Sequence, residues 1–372
     1  MTRTIIDVHI LHTVPPSNLN RDDAGSPKTA VYGGVRRARV SSQAWKRAVR
    51  LAFEDHLDDE QLGERTKRVG EAIAARITNL DPALKDEAAT LAFDVLKAAG
   101  LAKKEPKNGT QAESEYLLFL SHRQQQRLAE LAVDSARAGK APEGKAAKDA
   151  ANREHSVDIA MFGRMVADVS DINVDAAVQV AHAISVHGVS NEFDYFTAVD
   201  DRKHDIQETG AGMIGSIEFN SSTLYRYATI DVDRLQETLG DPAATKNAVQ
   251  AFLLAFALSM PTGKQNTFAN GTRPDAVVVQ LRDTRSINLV GAFEEPVGDQ
   301  TDTAGRVGLA AQALADYTTQ VHQAYGDEPV EAWVTHVGPR TAPLATLGTV
   351  LPLPGLAEAV ASKVAERIGG RP

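Results

Sequence analysis

AGSPKTAVYGGVRRARVSSQAWKRAVRLAF, residues 24–53, is the stretch on which the reading of this chain turns. It carries seven Lys or Arg (Lys28, Arg36, Arg37, Arg39, Lys46, Arg47 and Arg50) and no Asp or Glu, in a chain whose formal net charge is −9. An acidic protein that gathers its cations in one short segment sets up a local field for a polyanion, and nucleic acid is the commonest one. Residues 35–40 read as a short strand, which sets Arg37 and Arg39 on one face. Ser41 and Ser42 are good N-caps for a helix beginning near Gln43. On that helix Lys46, Arg47 and Arg50 lie to one side, and Trp45, Val49 and Ala52 form the opposite apolar stripe. The predicted strand-to-helix corner turns backbone N–H groups and cationic side chains outward, an arrangement that suits phosphate. A solvated helix made basic for solubility has the same charge signature.

Working outward, composition bounds the answer. The chain has 372 residues, 43% of them hydrophobic, enough for one large domain or a few smaller ones. It has no cysteine, which excludes disulfides and Cys-ligated zinc or iron–sulfur centres. The N-terminal run MTRTIIDVHILHTVPPSN has no uninterrupted apolar h-region, because Asp7, His9 and His12 break it. No uncharged apolar run reaches the length of a membrane span. These features predict a soluble, cytoplasmic protein with no membrane partner.

Residues 4–14 read as a strand with Ile6, Val8 and Ile10 alternating against Asp7 and His9, ended by Pro15-Pro16. From about 57 to 181 the chain is rich in Ala, Leu, Glu, Lys and Arg, which predicts a helical insertion with helices over 65–77, 87–99 and 113–138. Residues 174–187 read as a further helix. The run 193–227 alternates like strands at both ends, around a polar, glycine-containing middle (200–215) that reads as a protruding loop. A helix opened by Asp241-Pro242 and stopped by Pro261, a buried strand at 276–281, a helix at 305–325, a strand at 329–337 and a final helix at 355–368 complete the order. Strands and helices in this sequence, interrupted by a helical insertion, predict an α+β fold with a ferredoxin-like core.

Catalytic signatures are weak. P-loop, G-x-S-x-G, H-E-x-x-H and G-x-G-x-x-G motifs are all missing from the sequence. His182 and His187 are five apart, the wrong spacing for two ligands on one helix face, so no metal and no cofactor is expected. Asp22-Asp23 is the acidic pair nearest the basic corner. It reads either as a turn or as carboxylates that hold a divalent metal for phosphodiester cleavage. Gly263-Lys264-Gln265-Asn266 reads either as a plain turn or as a phosphate-donating loop. Met165 would ordinarily be core.

Further motifs lie along the chain in a fixed order: NLNRDD (18–23), GGVRRARVSSQAWKRAVR (33–50), VDIAMFGRM (157–165), AHAISVH (181–187), FDYFTAVDD (193–201), FNSSTLYRYATIDV (219–232) and PTGKQNTFA (261–269). Taken together they resemble the CasC family, the Cas-seven-type backbone subunit of the type I-E CRISPR Cascade complex. The middle of the helical insertion and the C-terminal tail carry little of the match.

The resemblance implies a modified RRM-like palm (1–56, 182–196 and 217–372), a helical fingers domain inserted at 57–181, and a protruding thumb loop at 197–216. It implies a non-catalytic scaffold whose partners are CRISPR RNA, copies of itself, other Cascade subunits and, in the assembled complex, target DNA. The family's RNA-backbone motif falls on Arg21, Lys28, Ser41, Gln43, Lys46, Arg47 and Arg50. Lys264 and Gln265 match a second guide-facing loop, and Met165 matches a methionine that wedges at a displaced base. The rival reading is a metal-dependent endoribonuclease using Asp22 or Asp23, and a third is a general single-strand binder. The thumb is acidic, and Lys103, Lys104 and Lys107 are candidates for contact with target DNA.

Overall fold

The computed structural model describes residues 3–102, 117–166, 170–198, 213–298 and 305–370. The chain opens with β1 (Ile5–Ser17), whose residues from Ile5 to His12 are all buried. The expected alternation of an apolar inner face and a polar outer face therefore does not hold: both faces of the strand are covered. Asp7 and His9, which read as outward-facing, are inside because each has partners there. The Asp7 carboxylate accepts from Tyr227 Oη at 2.7 Å, Arg282 Nε at 3.0 Å and the Ile287 N–H at 2.9 Å. His9 Nδ1 meets Tyr225 Oη at 2.9 Å. A buried ion pair satisfied this fully is tolerated, and removing one partner strands the other. β1 also runs on through Pro15 and Pro16, whose locked φ is compatible with extended backbone.

β2 (Thr29–Tyr32) and β3 (Val35–Val40) form a hairpin that leads directly into α1 (Ser42–Ala52). There follow β4 (Gly63–Thr66), α2 (Val69–Leu80), α3 (Ala88–Ala98), β5 (Leu118–Ser121), α4 (His122–Arg137), α5 (Gly144–Asn152) and α6 (Val157–Phe162). The helix expected over 113–138 starts only at His122, with Ser121 as its N-cap. Its hydroxyl accepts from the Gln124 N–H while Gln124 Oε1 accepts from the Ser121 N–H. Leu118–Ser121 instead pairs with β4, and residues 113–116 lie outside the described ones.

Residues expected as a helix at 174–187 are two short strands, β6 (Val178–Val180) and β7 (Ala183–Ser185). The alanines suggest helix, but pairing decides otherwise: Ile184 lies opposite Tyr225 on one side and Arg39 on the other. β8 (Glu192–Ala198) and β9 (Met213–Asp231) pair antiparallel from Glu192↔Phe219 to Ala198↔Met213. Most of the expected thumb, 199–212, and the three lysines of the 103–107 loop lie outside the described residues. The chain continues with α7 (Val232–Leu239), α8 (Pro242–Leu258), α9 (Gln265–Phe268), β10 (Ala276–Arg282), α10 (Gly305–Tyr325), β11 (Glu331–His336), β12 (Thr349–Val350) and α11 (Leu353–Gly369).

Two compact units emerge. The first comprises Met1–Ala52, Val180–Thr229 and Phe252–Lys363. Its sheet runs β12–β11–β10–β1–β9–β7–β3–β2, with β8 paired to β9. β11 and β12 are parallel, whereas β1 and β10, β10 and β11, and β7 and β9 are antiparallel. α10 lays Ala310, Ala311, Leu314 and Ala315 in one apolar cluster with Leu11, Val278, Val334 and Phe293. The second unit comprises Phe53–Gln179, Ile230–Ala251 and Val364–Pro372. Its core joins Val69, Ile73 and Ile77 of α2 to Leu128, Ala129 and Ala132 of α4 at helical spacing. The class is α+β with a large mixed sheet. Among the described residues no helix is long and apolar enough to cross a membrane.

Candidate nucleic-acid interface

The basic corner begins as the sequence predicts. Ser41 precedes α1, and its hydroxyl accepts from the Ala44 N–H at 3.4 Å. Trp45 and Val49 are fully buried, which turns Gln43 and Arg47 outward and leaves Lys46 and Arg50 half-exposed. The inward face is held by Trp45, whose ring lies against the Arg226 guanidinium with the Arg226 carbon 3.7 Å from the ring centroid. Burial lowers the pKa of Arg226 to about 9, and its guanidinium donates to the Phe256 carbonyl. That carbonyl belongs to the last turn of α8, where a cation offsets the partial negative charge of the helix end.

Asn18–Arg21 joins the corner to segments distant in sequence. The Ser41 N–H donates to Asn20 Oδ1 at 2.9 Å, and the Lys28 N–H donates to the Asn20 carbonyl at 2.9 Å. Asn18 Nδ2 donates to the carbonyls of Gly25 and Glu218 at 3.0 and 2.9 Å. The loop before α9 arrives on the other side: a Cβ placed on Gly263 would lie 2.2 Å from the Leu19 carbonyl oxygen. Only glycine permits that approach, and Lys264 and Gln265 follow immediately. Lys264 takes a left-handed φ of 51° to start α9, whose Phe268 ring meets Phe219 at 5.7 Å. Arg21, Lys28, Ser41, Gln43, Lys46, Arg47, Arg50, Lys264 and Gln265 thus all lie on one unit, on neighbouring segments. Asn18 and Asn20, which organise them, carry no charge signal, and Leu19 contributes its backbone carbonyl, which no side-chain pattern marks.

The field there is positive. Partial burial first, then the charges of Arg39 and Lys28, hold His182 below its ordinary range, and Arg39 donates to its Nδ1 at 3.2 Å. Arg37 corrects the sequence reading. It is not an outward partner of Arg39 but is fully buried, donating to the carbonyls of Tyr32 (3.3 Å), Ser185 (3.0 Å), Phe293 (2.9 Å) and Glu294 (3.2 Å). It is a strut that fastens the β2–β3 hairpin to the 293–294 loop.

Asp22 forms a turn: its Oδ1 accepts from the Ala24 and Ser26 N–H groups at 3.0 and 2.9 Å. Asp23 is exposed beside it. Among the described residues no group of three or more His, Asp or Glu is placed to share a metal ion.

Met165 lies on the second unit. It is not core, as its type suggests, but 85% exposed. Its neighbours hold it there. Arg164 is buried and donates to the carbonyls of Ile172 and Phe119, to Gln124 Oε1 and to Asn152 Oδ1. The Val166 N–H donates to Asn173 Oδ1 at 2.6 Å. On the first unit β8 presents Phe193 and Tyr195, 69% and 64% exposed, which read in the sequence only as strand formers.

The family model for CT1975-like proteins matches residues 6–354. A chain of a solved "CRISPR RNA-guided surveillance complex, pre-nicking" is 34% identical, with 97% of this chain and 100% of that chain covered and a TM-score of 0.83. A chain of a second "CRISPR RNA-guided surveillance complex" is 31% identical over 96% of this chain and 99% of that one, with a TM-score of 0.74. Among curated proteins no sequence matches.

Proposed function

We propose that this chain, which belongs to the CT1975-like family, is a guide-RNA-binding scaffold subunit of a CRISPR surveillance complex. It serves antiviral defence without cutting RNA itself. The observation that carries the reading is the convergence of Arg21, Lys28, the outward face of α1 and the Lys264–Gln265 loop on Asn18–Arg21. Cations spread over three segments suit a phosphate backbone followed without regard to base sequence. Sequence selection then falls to base pairing between guide and target.

In this proposal the sheet-bearing unit is the RRM-like palm, residues 57–181 are fingers and 197–216 a thumb. Met165 wedges at a displaced base, which its exposure on an anchored ledge supports. Copies pack along the guide through a heterologous interface that propagates instead of closing, with other subunits capping the ends. The ordered motifs at 18–50 and 261–269 favour the type I-E Cascade class, with target DNA meeting the assembled filament.

The test is RNA binding across a salt series for the wild type and for Lys46→Ala/Arg50→Ala. The variant is expected to bind more weakly, with a log–log salt slope smaller by roughly one to two units. Unchanged affinity and slope mean that the corner is a solvated face.

A further inference from the structure

With Arg37 buried, β3 keeps Arg39 half-exposed at the end nearest α1. Its Nε donates to the Thr29 carbonyl at 3.1 Å, which holds the guanidinium across the β2–β3 hairpin, and its Nη1 donates to Nδ1 of His182 at 3.2 Å. His182 is exposed and lies just before β7. Val40 pairs with Ala183, so His182 stands beside the point where β3 passes through Ser41 into α1. Lys28 joins the group from the other side, since the Arg39 N–H donates to the Lys28 carbonyl at 2.8 Å.

The bond between Arg39 and His182 runs in one direction only. A guanidinium has donors and no acceptor, so Nδ1 must accept, which leaves the imidazole neutral with its proton on Nε2. A proton added to Nδ1 sets two donors against each other and breaks the bond. Partial burial, then the charges of Arg39 and Lys28, disfavour that proton. On the β9 side the Ala181 N–H donates to the Tyr227 carbonyl at 2.9 Å, and the titratable side chains there are engaged inward. Arg226 lies against Trp45, and the Tyr227 hydroxyl donates to Asp7. Two cations around a neutral imidazole suit an anion, and an anion is what allows the imidazole to take its proton. A phosphate then accepts from both side chains at once, through the new Nδ1–H and through the Arg39 N–H that this proton displaces.

We infer that Arg39 and His182 form a further phosphate-binding pair at the proposed RNA interface, and that phosphate binds there with uptake of a proton from solvent on His182 Nδ1. Each side chain exchanges its bond to the other for a bond to a phosphate oxygen. The inference rests on the proposed guide-RNA function and adds a proton to its binding equilibrium. The sign follows from linkage: the RNA-bound state holds the extra proton, so affinity rises as pH falls and is lost as pH rises past the range in which bound His182 keeps that proton. Once the free imidazole is protonated as well, the gain stops growing.

The experiment uses the full chain and an oligouridylate, whose bases do not titrate between pH 5.5 and 7.5. Binding is followed by calorimetry across that range for the wild type, His182→Gln and Arg39→Gln. Two buffers of different ionisation heat count the protons taken up. Glutamine at 182 keeps an acceptor for Arg39 and cannot be protonated. Thermal melts at each pH confirm that the proteins are folded. The wild type is expected to gain about three- to tenfold in affinity from pH 7.5 to 5.5 beyond any gain of His182→Gln, and to take up more protons. At pH 7.5 the two are expected to bind alike. Arg39→Gln is expected to bind more weakly at pH 7.5 and to take up fewer protons, because its free His182 is protonated already at higher pH; a merely structural role leaves the proton count unmoved. If the wild type and His182→Gln show the same gain and the same proton count, the pair is refuted and the scaffold reading stands. If His182→Gln is weaker by one factor at every pH and keeps the wild-type proton count, His182 is a contact without a proton and the inference is overturned. A wild type that binds no RNA at any pH removes both.

Discussion

Arg37→Ala separates a buried strut from a surface cation. The guanidinium donates to four carbonyls, two at 3.0 Å or less (Ser185 and Phe293) and two at 3.2–3.3 Å (Glu294 and Tyr32). A hydrogen bond from a charged donor contributes about 1.5–3 kcal/mol, and a buried carbonyl left unpaired adds its own penalty. Counting the two shorter bonds fully and the longer ones partly gives a loss of about 3–5 kcal/mol. For a body of this size that is on the order of 10 °C in Tm. Both tryptophans of the chain, Trp45 and Trp333, lie in the unit that contains Arg37, so their fluorescence follows that unit's transition in heat or urea. The neighbouring Arg36 is exposed, and Arg36→Ala is expected to change stability by less than about 0.5 kcal/mol. If Arg37→Ala and Arg36→Ala unfold together with the wild type, the strut assignment is wrong and Arg37 has to be returned to the surface field.

Further outcomes follow from other parts of the molecule. Burial first, then nearby cations, lowers the pKa of His9 and of His12 to about 3. The unfolded chain therefore takes up protons below pH 6.5 that the folded chain refuses, and the stability present above pH 6.5 is lost as pH falls toward 3. Each imidazole is expected to remove about 1.4 kcal/mol by pH 5.5, so the urea midpoint drops between pH 7.5 and 5.5, and a flat profile counts against buried neutral histidines. Gly263→Ala sets a methyl against the Leu19 carbonyl and displaces the Lys264 loop; weaker RNA binding with a shallower salt slope is expected, and wild-type binding contradicts the close approach. Because Asp22 is engaged in its turn and Asp23 stands exposed beside it, RNA bound to the wild type is expected to remain intact in magnesium. A cut that disappears in Asp23→Ala makes the protein a nuclease.

What the sequence determined by itself is what neighbours in the chain can enforce. Ser41 as cap, Trp45 and Val49 at helical spacing, and the cations on the other side of α1 are consequences of a 3.6-residue repeat. The insertion's helices and the α10 and α11 segments follow from the same local rule. The order of motifs along the chain pointed to a CRISPR surveillance-complex subunit, and the CT1975-like family match agrees at that coarser level. Tertiary structure decided the rest wherever two distant segments compete for one side chain. Arg37 and Arg39 alternate alike in sequence, but the carbonyls at 185, 293 and 294 capture Arg37 and bury it. The run 174–187 carries four alanines and reads as helix, but the open edges of β9 and β3 offered backbone partners that a helix there would have left unpaired. Met165 is apolar but lies outside, because Arg164 and the Val166 N–H beside it take the inward contacts. The proposed interface depends on Gly263 meeting the Leu19 carbonyl, a contact between residues 244 positions apart, which no local pattern encodes.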